Sequence, residues 1–217
     1  MDALCLVSDL MDRRAVPRPL AEVESAEVEA ELGVGFPHEY RRYLLQVSAG
    51  GAVAQLARTE SGWWWAGNDA RWRDLLSLPF PHPDSYEDVD DELHRRLPQA
   101  EDYPNEEAFW EAMSSWNVES WEFEERKTAG AVVAKEHGCG FATLLVITGP
   151  LAGTLWWDGR ASCELIIPLS LDHAGGARAV TFGEWLGRKS WDLLPPGSSI
   201  RDCKSLTLDR ICTFGAC

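Results

Sequence analysis

The sequence predicts an α+β fold, with an antiparallel sheet flanked by helices. Three observations predict it: two amphipathic helical patterns near the start, several short apolar segments separated by turn residues in the second half, and no alternation of strand and helix that would favour a parallel sheet. The 217 residues fit one domain. We expect an N-terminal extension over residues 1–19, one domain over residues 20–194 and a C-terminal tail over residues 195–217.

Two helices are predicted in the first part of the domain. The first follows Pro19 and ends at Gly33, with glutamates mostly opposite one apolar stripe. That stripe contains Leu20, Val23, Ala26, Ala30 and Leu32. The second begins with Pro37 in its first turn and ends at Gly50 and Gly51. Its apolar stripe contains Tyr40, Tyr43, Leu44 and Val47.

Short strands and turns are predicted for the tryptophan-rich stretch that follows. Trp63, Trp64 and Trp65 are consecutive, and successive side chains of a strand point to opposite faces. The three rings therefore cannot all face inward on one strand. We expect at least one of them to be exposed to a partner or covered by the acidic segment described below.

A hairpin-linked sheet is predicted in the second half. Strand-like segments span residues 131–135, 141–148, 154–157 and 163–169, and turn residues separate them. Asp158-Gly159 indicates a tight turn between the last two. Thr181 and Glu184 form a capping-box pattern that opens a last helix with Phe182, Trp185 and Leu186.

The negative charge is concentrated in one segment. The chain has a net charge of −15, and residues 84–125 contain 15 acidic and two basic side chains. We name this segment the acidic insertion. Its prolines predict an irregular first part, and Asn105 predicts the start of a helix. The overall acidity argues against direct nucleic-acid binding, because phosphate backbones attract Lys and Arg.

Aromatic residues interleaved with the acids predict a surface that docks on a basic protein, since charge speeds encounter and aromatic anchors supply affinity. The alternative is a solvated loop. The predicted partner-binding residues are Asp84, Tyr86, Glu87, Asp88, Asp90, Asp91, Glu92, Glu101, Asp102, Tyr103 and Trp64.

The sequence contains no phosphate-binding loop, nucleophile elbow or zinc-protease motif. His38 and Glu39 are either an acid–base couple or the first turn of a helix. His137, Cys139 and Cys163 are either three metal ligands or a turn beside a buried strand. The run of acids from residue 87 to residue 91 either binds a cation or only attracts ions diffusely. We predict no catalytic residue, metal or cofactor.

Neither a secretory signal nor an apolar segment of membrane-spanning length is recognisable. The six cysteines include no CxxC pair. We therefore expect a cytoplasmic protein with reduced thiols and no membrane partner.

Four motifs, in order, resemble the SUKH superfamily, also called the Smi/Knr type. Residues 29–51 read EAELGVGFPHEYRRYLLQVSAGG, which is similar to that family's acidic helix, Leu-Pro-x-x-Tyr helix and Asn-Gly-Gly-like end. The later motifs are Gly138-Cys-Gly140 before an apolar strand, GTLWWD at residues 153–158 and TFGEWL at residues 181–186. The long acidic insertion departs from the pattern.

The resemblance implies an α+β fold and a function in protein binding. Bacterial members are immunity proteins that neutralise a polymorphic toxin, often a nuclease, and fungal relatives are regulatory binding proteins. We therefore expect an immunity protein that occludes the active or substrate-binding face of its cognate toxin. A non-catalytic regulatory scaffold of the same fold is the alternative, and a hydrolase using His38 or His137 is a third hypothesis.

Overall fold

The computed structural model describes residues 16–163 and 165–196 and has an α+β architecture. A two-stranded antiparallel sheet pairs β1 with β2, and a four-stranded antiparallel sheet has the chain order β3-β4-β5-β6. The strands are β1 (Leu56–Thr59), β2 (Gly62–Trp65), β3 (Ala131–Gly138), β4 (Phe141–Val146), β5 (Leu155–Asp158) and β6 (Ile166–Pro168). The helices are α1 (Glu22–Leu32), α2 (His38–Gln46), α3 (Glu87–Arg95), α4 (Glu106–Arg126), α5 (Arg160–Cys163) and α6 (Phe182–Trp185). Short 3-10 helices span Ala70–Leu75, Pro83–Ser85, Ala100–Asp102 and Ser190–Leu193.

Both faces of the four-stranded sheet are covered. In β4, Phe141 and Leu145 belong to the main core with α1 and α2, while Leu144 and Val146 pack with Phe80 in a second, smaller core. Side chains alternate between the two faces of a strand, so a strand buried on both sides is mostly apolar. Five of the six residues of β4 are apolar, and the hydroxyl of the exception, Thr143, is hydrogen-bonded.

The first two helices form where predicted, but the apolar stripe of α1 was assigned wrongly. Its buried residues are Ser25, Val28 and Leu32, whereas Val23 is 73% exposed. Val23 is five residues from Val28 and therefore about 140° away around the helix axis. Helix α2 buries Tyr40, Tyr43 and Leu44 as expected, but it ends at Gln46, and Val47 is exposed.

The prediction that one of the three consecutive tryptophans is exposed or covered by the acidic insertion is wrong. Trp63, Trp64 and Trp65 are 7%, 5% and 2% exposed. The Arg73 guanidinium lies 5.0 Å from the centroid of the Trp64 ring, and Trp64 Nε1 donates to the Asn68 carbonyl at 2.9 Å. The segment immediately after β2 therefore covers Trp64, which removes this residue from the candidate binding surface.

Two further local predictions need correction. Asp158-Gly159 does not form a two-residue hairpin, because one turn of helix, α5, separates β5 from β6. The Asp158 carboxylate instead accepts hydrogen bonds from the backbone N–H and the guanidinium of Arg160. The first part of the acidic insertion is not irregular throughout, since it contains α3, whose Leu93 is buried.

The two ends of the acidic insertion leave the domain at adjacent points. Gly130 N–H donates to the Leu75 carbonyl at 2.9 Å, and Ile147 N–H donates to the Gly130 carbonyl at 2.7 Å. Phe80 N–H donates to the Thr148 carbonyl at 3.0 Å. These bonds join the segments before and after the insertion to the end of β4, so the insertion has a fixed base.

Most of the predicted extension and tail lies outside the described residues. So do Cys5, Cys203, Cys212 and Cys217, and the side chain of Cys163. Cys139 is free and exposed in the turn between β3 and β4.

Candidate functional site: an acidic insertion with an exposed tryptophan face

A cluster of charges around the buried Lys127 holds the acidic insertion against the sheet. Lys127 is 3% exposed, and its ammonium lies 2.9 Å from the Asp90 carboxylate and 2.5 Å from that of Glu124. Arg160, just after β5, donates to the Glu124 carbonyl at 2.6 Å and lies 2.8 Å from the Asp158 carboxylate. The cluster therefore links α3, α4 and the sheet.

Helices α3 and α4 pack against each other along the length of α3. Trp116 Nε1 donates to the Leu93 carbonyl at 2.9 Å, and the Arg96 guanidinium pairs with Glu119 at 2.6 Å. Tyr86 contacts the ring of Phe123 edge-on, and burial raises the pKa of Tyr86 to about 12. Together with the charge cluster, these contacts make the insertion an ordered part of the fold.

The predicted acidic residues divide into two groups. Asp90 binds Lys127, and Glu92 pairs with Arg95 and Arg96, so both carboxylates already have internal partners. The other acidic candidates are exposed. Of these, only Asp84 has a charged or titratable partner among the described residues, since its carboxylate lies 3.5 Å from the His82 imidazole. This second group contains Asp84, Glu87, Asp88, Asp91, Glu101 and Asp102.

The two predicted tyrosines are half-buried and contribute to the fold. Tyr86 packs between α3 and α4, and Tyr103 contacts the ring of Phe109 at 6.0 Å between centroids. The aromatic side chains that do reach solvent were not among the predicted residues. Trp110 and Trp121 on α4 are 62% and 61% exposed.

An open, largely apolar surface runs along the exposed side of α4. It is formed by Trp110, Met113, Ser114, Asn117, Val118, Trp121, Glu122 and Glu125. We name this surface the tryptophan face. At 100° per residue, positions 110, 114, 117, 118 and 121 lie within about 100° of one another around the helix axis, which places them on one side of α4. Phe109 and Trp116 lie on the opposite side of α4 and pack inward. The placement of Trp110 and Trp121 away from that side is the sequence signal for this surface.

Acidic side chains border the tryptophan face. Glu107, Glu111 and Glu122 are exposed and form no ion pair within residues 16–163 and 165–196. Glu125 accepts a hydrogen bond from Trp72 Nε1 at 3.3 Å. A site of exposed indole rings beside unpaired carboxylates can bind apolar and cationic groups together.

The histidine candidates have structural contacts. His38 is exposed, and Glu39 does not couple to it but accepts a hydrogen bond from Gly183 N–H at 2.8 Å, across to α6. His137 Nε2 lies 2.8 Å from Thr143 Oγ1, which lies 2.7 Å from Ser190 Oγ. Burial lowers the pKa of His137 to about 4, with a smaller effect of nearby Lys135. Thr143 and Ser190 are buried, so their hydroxyls are closed to a substrate.

Within the described part of the chain, no three His, Cys, Asp or Glu side chains form a group that could hold a metal ion. Nor does any helix among these residues have the length and apolar character needed to cross a membrane. No known protein family, curated protein or solved structure matches this chain.

Proposed function

We propose that the protein is an immunity protein of the SUKH type that binds a cognate toxin and occludes its active or substrate-binding face. One observation carries the proposal: an ordered acidic insertion exposes the tryptophan face and a group of unpaired carboxylates to solvent. Large exposed aromatic rings bordered by charge are typical of protein-binding surfaces.

The charge distribution defines the kind of toxin that would fit. Residues 84–125 contain 15 acidic and two basic side chains, so their field attracts a basic face. Nuclease toxins have such a face, because they bind phosphate backbones. An acidic surface that docks there would also repel the nucleic-acid substrate.

The fold supports the same proposal. Two helices, a two-stranded sheet and a four-stranded antiparallel sheet follow in chain order, and the motifs of the SUKH resemblance lie in α1, α2, the turn between β3 and β4, β5 and α6. The acidic insertion enters between the two sheets. Since it is the departure from the family pattern, we assign partner specificity to it.

The test is to express the product of the adjacent reading frame with and without this protein and to measure growth, then binding by calorimetry at low and moderate salt. We expect rescue of growth and nanomolar affinity that weakens as salt rises. A neighbour that is neither toxic nor bound would overturn the immunity function and favour the regulatory scaffold. Binding without loss of toxicity would also contradict it.

A further inference from the structure

We propose that the tryptophan face receives a basic amphipathic helix of the partner protein. This inference rests on the proposed function and specifies the element of the toxin that docks. The occupant would place apolar side chains against Trp110 and Trp121 and Lys or Arg side chains against the bordering glutamates.

The shape of the face favours a helix. Trp110 and Trp121 are eleven residues apart on α4, which spans about 16 Å or three helical turns. Along this length Trp110, Val118 and Trp121 are exposed on one side of α4, a surface that another helix can pack against, ridges into grooves. A partner helix of similar length can therefore lie along α4 and contact both indole rings.

The rim of the face selects for positive charge. Glu107, Glu111 and Glu122 lie along one side of the tryptophan face and have no ion-pair partner in the described ranges. Lys or Arg side chains on the flank of the occupant would pair with them, and cations also interact favourably with indole rings. An acidic or neutral occupant would leave these carboxylates without partners.

The same charges argue against two other occupants. A second copy of this chain would bring a second set of glutamates to the same interface, where like charges repel. The chain's own terminal segments are nearly neutral: residues 1–15 contain three acidic and two basic side chains, and residues 197–217 contain two acidic and three basic ones. Neither segment carries the excess of Lys and Arg that would complement three unpaired glutamates.

The face also has fixed positions for its anchors. Trp116 on the opposite side of α4 bonds to the Leu93 carbonyl, and Lys127 joins α3 and α4 just beyond the end of α4. A helix held in this way presents Trp110 and Trp121 without further ordering. Binding to a preorganised surface loses less conformational entropy.

The experiment uses the full chain and a fluorescent synthetic helix of leucine, lysine and alanine, about 14 residues or four turns long, so that it extends past both indole rings. A peptide of the same composition with the leucines scrambled around the helix is the control. Fluorescence anisotropy gives the affinity of each peptide for the wild-type chain and its variants. We expect the amphipathic peptide to bind more tightly than the scrambled one.

Two variant pairs test the contacts. Trp110→Ala with Trp121→Ala should weaken peptide binding about tenfold or more, whereas Val89→Ala, an exposed apolar residue on α3, should not change it. Glu107→Gln, Glu111→Gln and Glu122→Gln together should weaken binding more than the combination of Glu87→Gln, Asp88→Asn and Asp91→Asn, which removes the same charge from α3. Circular dichroism checks that each variant is folded.

Three outcomes would overturn the inference: equal binding of both peptides, unchanged binding by the double tryptophan variant, or self-association of the wild-type chain in sedimentation that this variant abolishes. The toxin assay keeps the two proposals separate. If the wild-type chain rescues growth and the double tryptophan variant rescues it equally, the docking site is wrong and the immunity function stands. If the wild-type chain fails to rescue, the immunity function itself is wrong.

Discussion

The buried ammonium of Lys127 lies 2.9 Å from the Asp90 carboxylate and joins the two helices of the acidic insertion. Asp90 was a predicted docking residue, yet its charge is already paired inside the protein. Substitution of a docking residue would weaken partner binding, whereas substitution of the internal partner of Lys127 would lower the stability of the fold. Asp90 is therefore a structural acid, in contrast to the unpaired acids beside it on α3.

Lys127→Met should lower the free energy of unfolding by about 2 kcal/mol, because it removes two charge-assisted hydrogen bonds to the carboxylates of Asp90 and Glu124. Urea denaturation measures this loss. Arg95→Met is the control, since Arg95 forms an exposed pair with Glu92 and should cost less than about 1 kcal/mol. Equal losses in the two variants would show that the cluster does not hold the insertion.

Gly130→Ala should destabilise the base of the acidic insertion. Gly130 has φ of 69°, and a Cβ atom there would lie 2.4 Å from the Leu78 carbonyl oxygen. We expect a loss of more than about 2 kcal/mol. Gly33 has the same φ with no atom within 4 Å of a Cβ, so Gly33→Ala isolates the backbone cost, about 1 kcal/mol. Thermal or urea unfolding of both variants tests this, and similar losses would contradict the steric argument.

Stability should fall as the pH is lowered from about 6.5 to about 4, in part because of His137. Burial lowers the pKa of this imidazole to about 4 from 6.5, so the unfolded chain binds its proton first within this range. The stabilising contribution is fully present above about pH 6.5 and is lost as the pH falls through about 4, where His137 of the folded chain becomes protonated. His137→Gln should reduce the pH dependence of unfolding in this range. Parallel pH profiles for the wild-type chain and His137→Gln would refute the assignment.

Reversal of the unpaired acids on α3 should slow association with the toxin. The triple variant Glu87→Lys, Asp88→Lys and Asp91→Lys should lower the association rate constant about tenfold and flatten its dependence on salt, because charge steers the encounter. Asp90 is left in place since it binds Lys127. Stopped-flow measurements at two salt concentrations provide the test.

The control for this prediction changes the net charge equally outside the insertion. Glu60, Asp74 and Glu136 are exposed, and their reversal to Lys should have a smaller effect on the rate constant. If the two triple variants slow association equally, net charge rather than the acidic insertion steers the encounter.

Local sequence patterns were sufficient for features that depend on neighbouring residues. The Thr181 capping box forms, with Thr181 accepting from Glu184 N–H and Glu184 accepting from Thr181 N–H, and Asn105 caps α4. The α+β class also follows from local patterns, namely the helical periodicity near the start and the short apolar segments separated by turn residues in the second half. Caps and hairpin-linked strands are decided by residues within a few positions of one another, so the sequence displays them directly.

Tertiary structure alone decided which side chains face solvent. The strand alternation that predicted an exposed Trp64 is correct locally, but Arg73 and Asn68 cover its ring from a later segment. The charge pattern likewise could not separate Asp90, paired with a lysine 37 positions away, from its exposed neighbours. By itself the sequence determined the α+β class, the caps of α4 and α6 and the acidic character of the insertion. Contacts between distant segments determined its free surface, because burial depends on what packs against a residue and not on the residue itself.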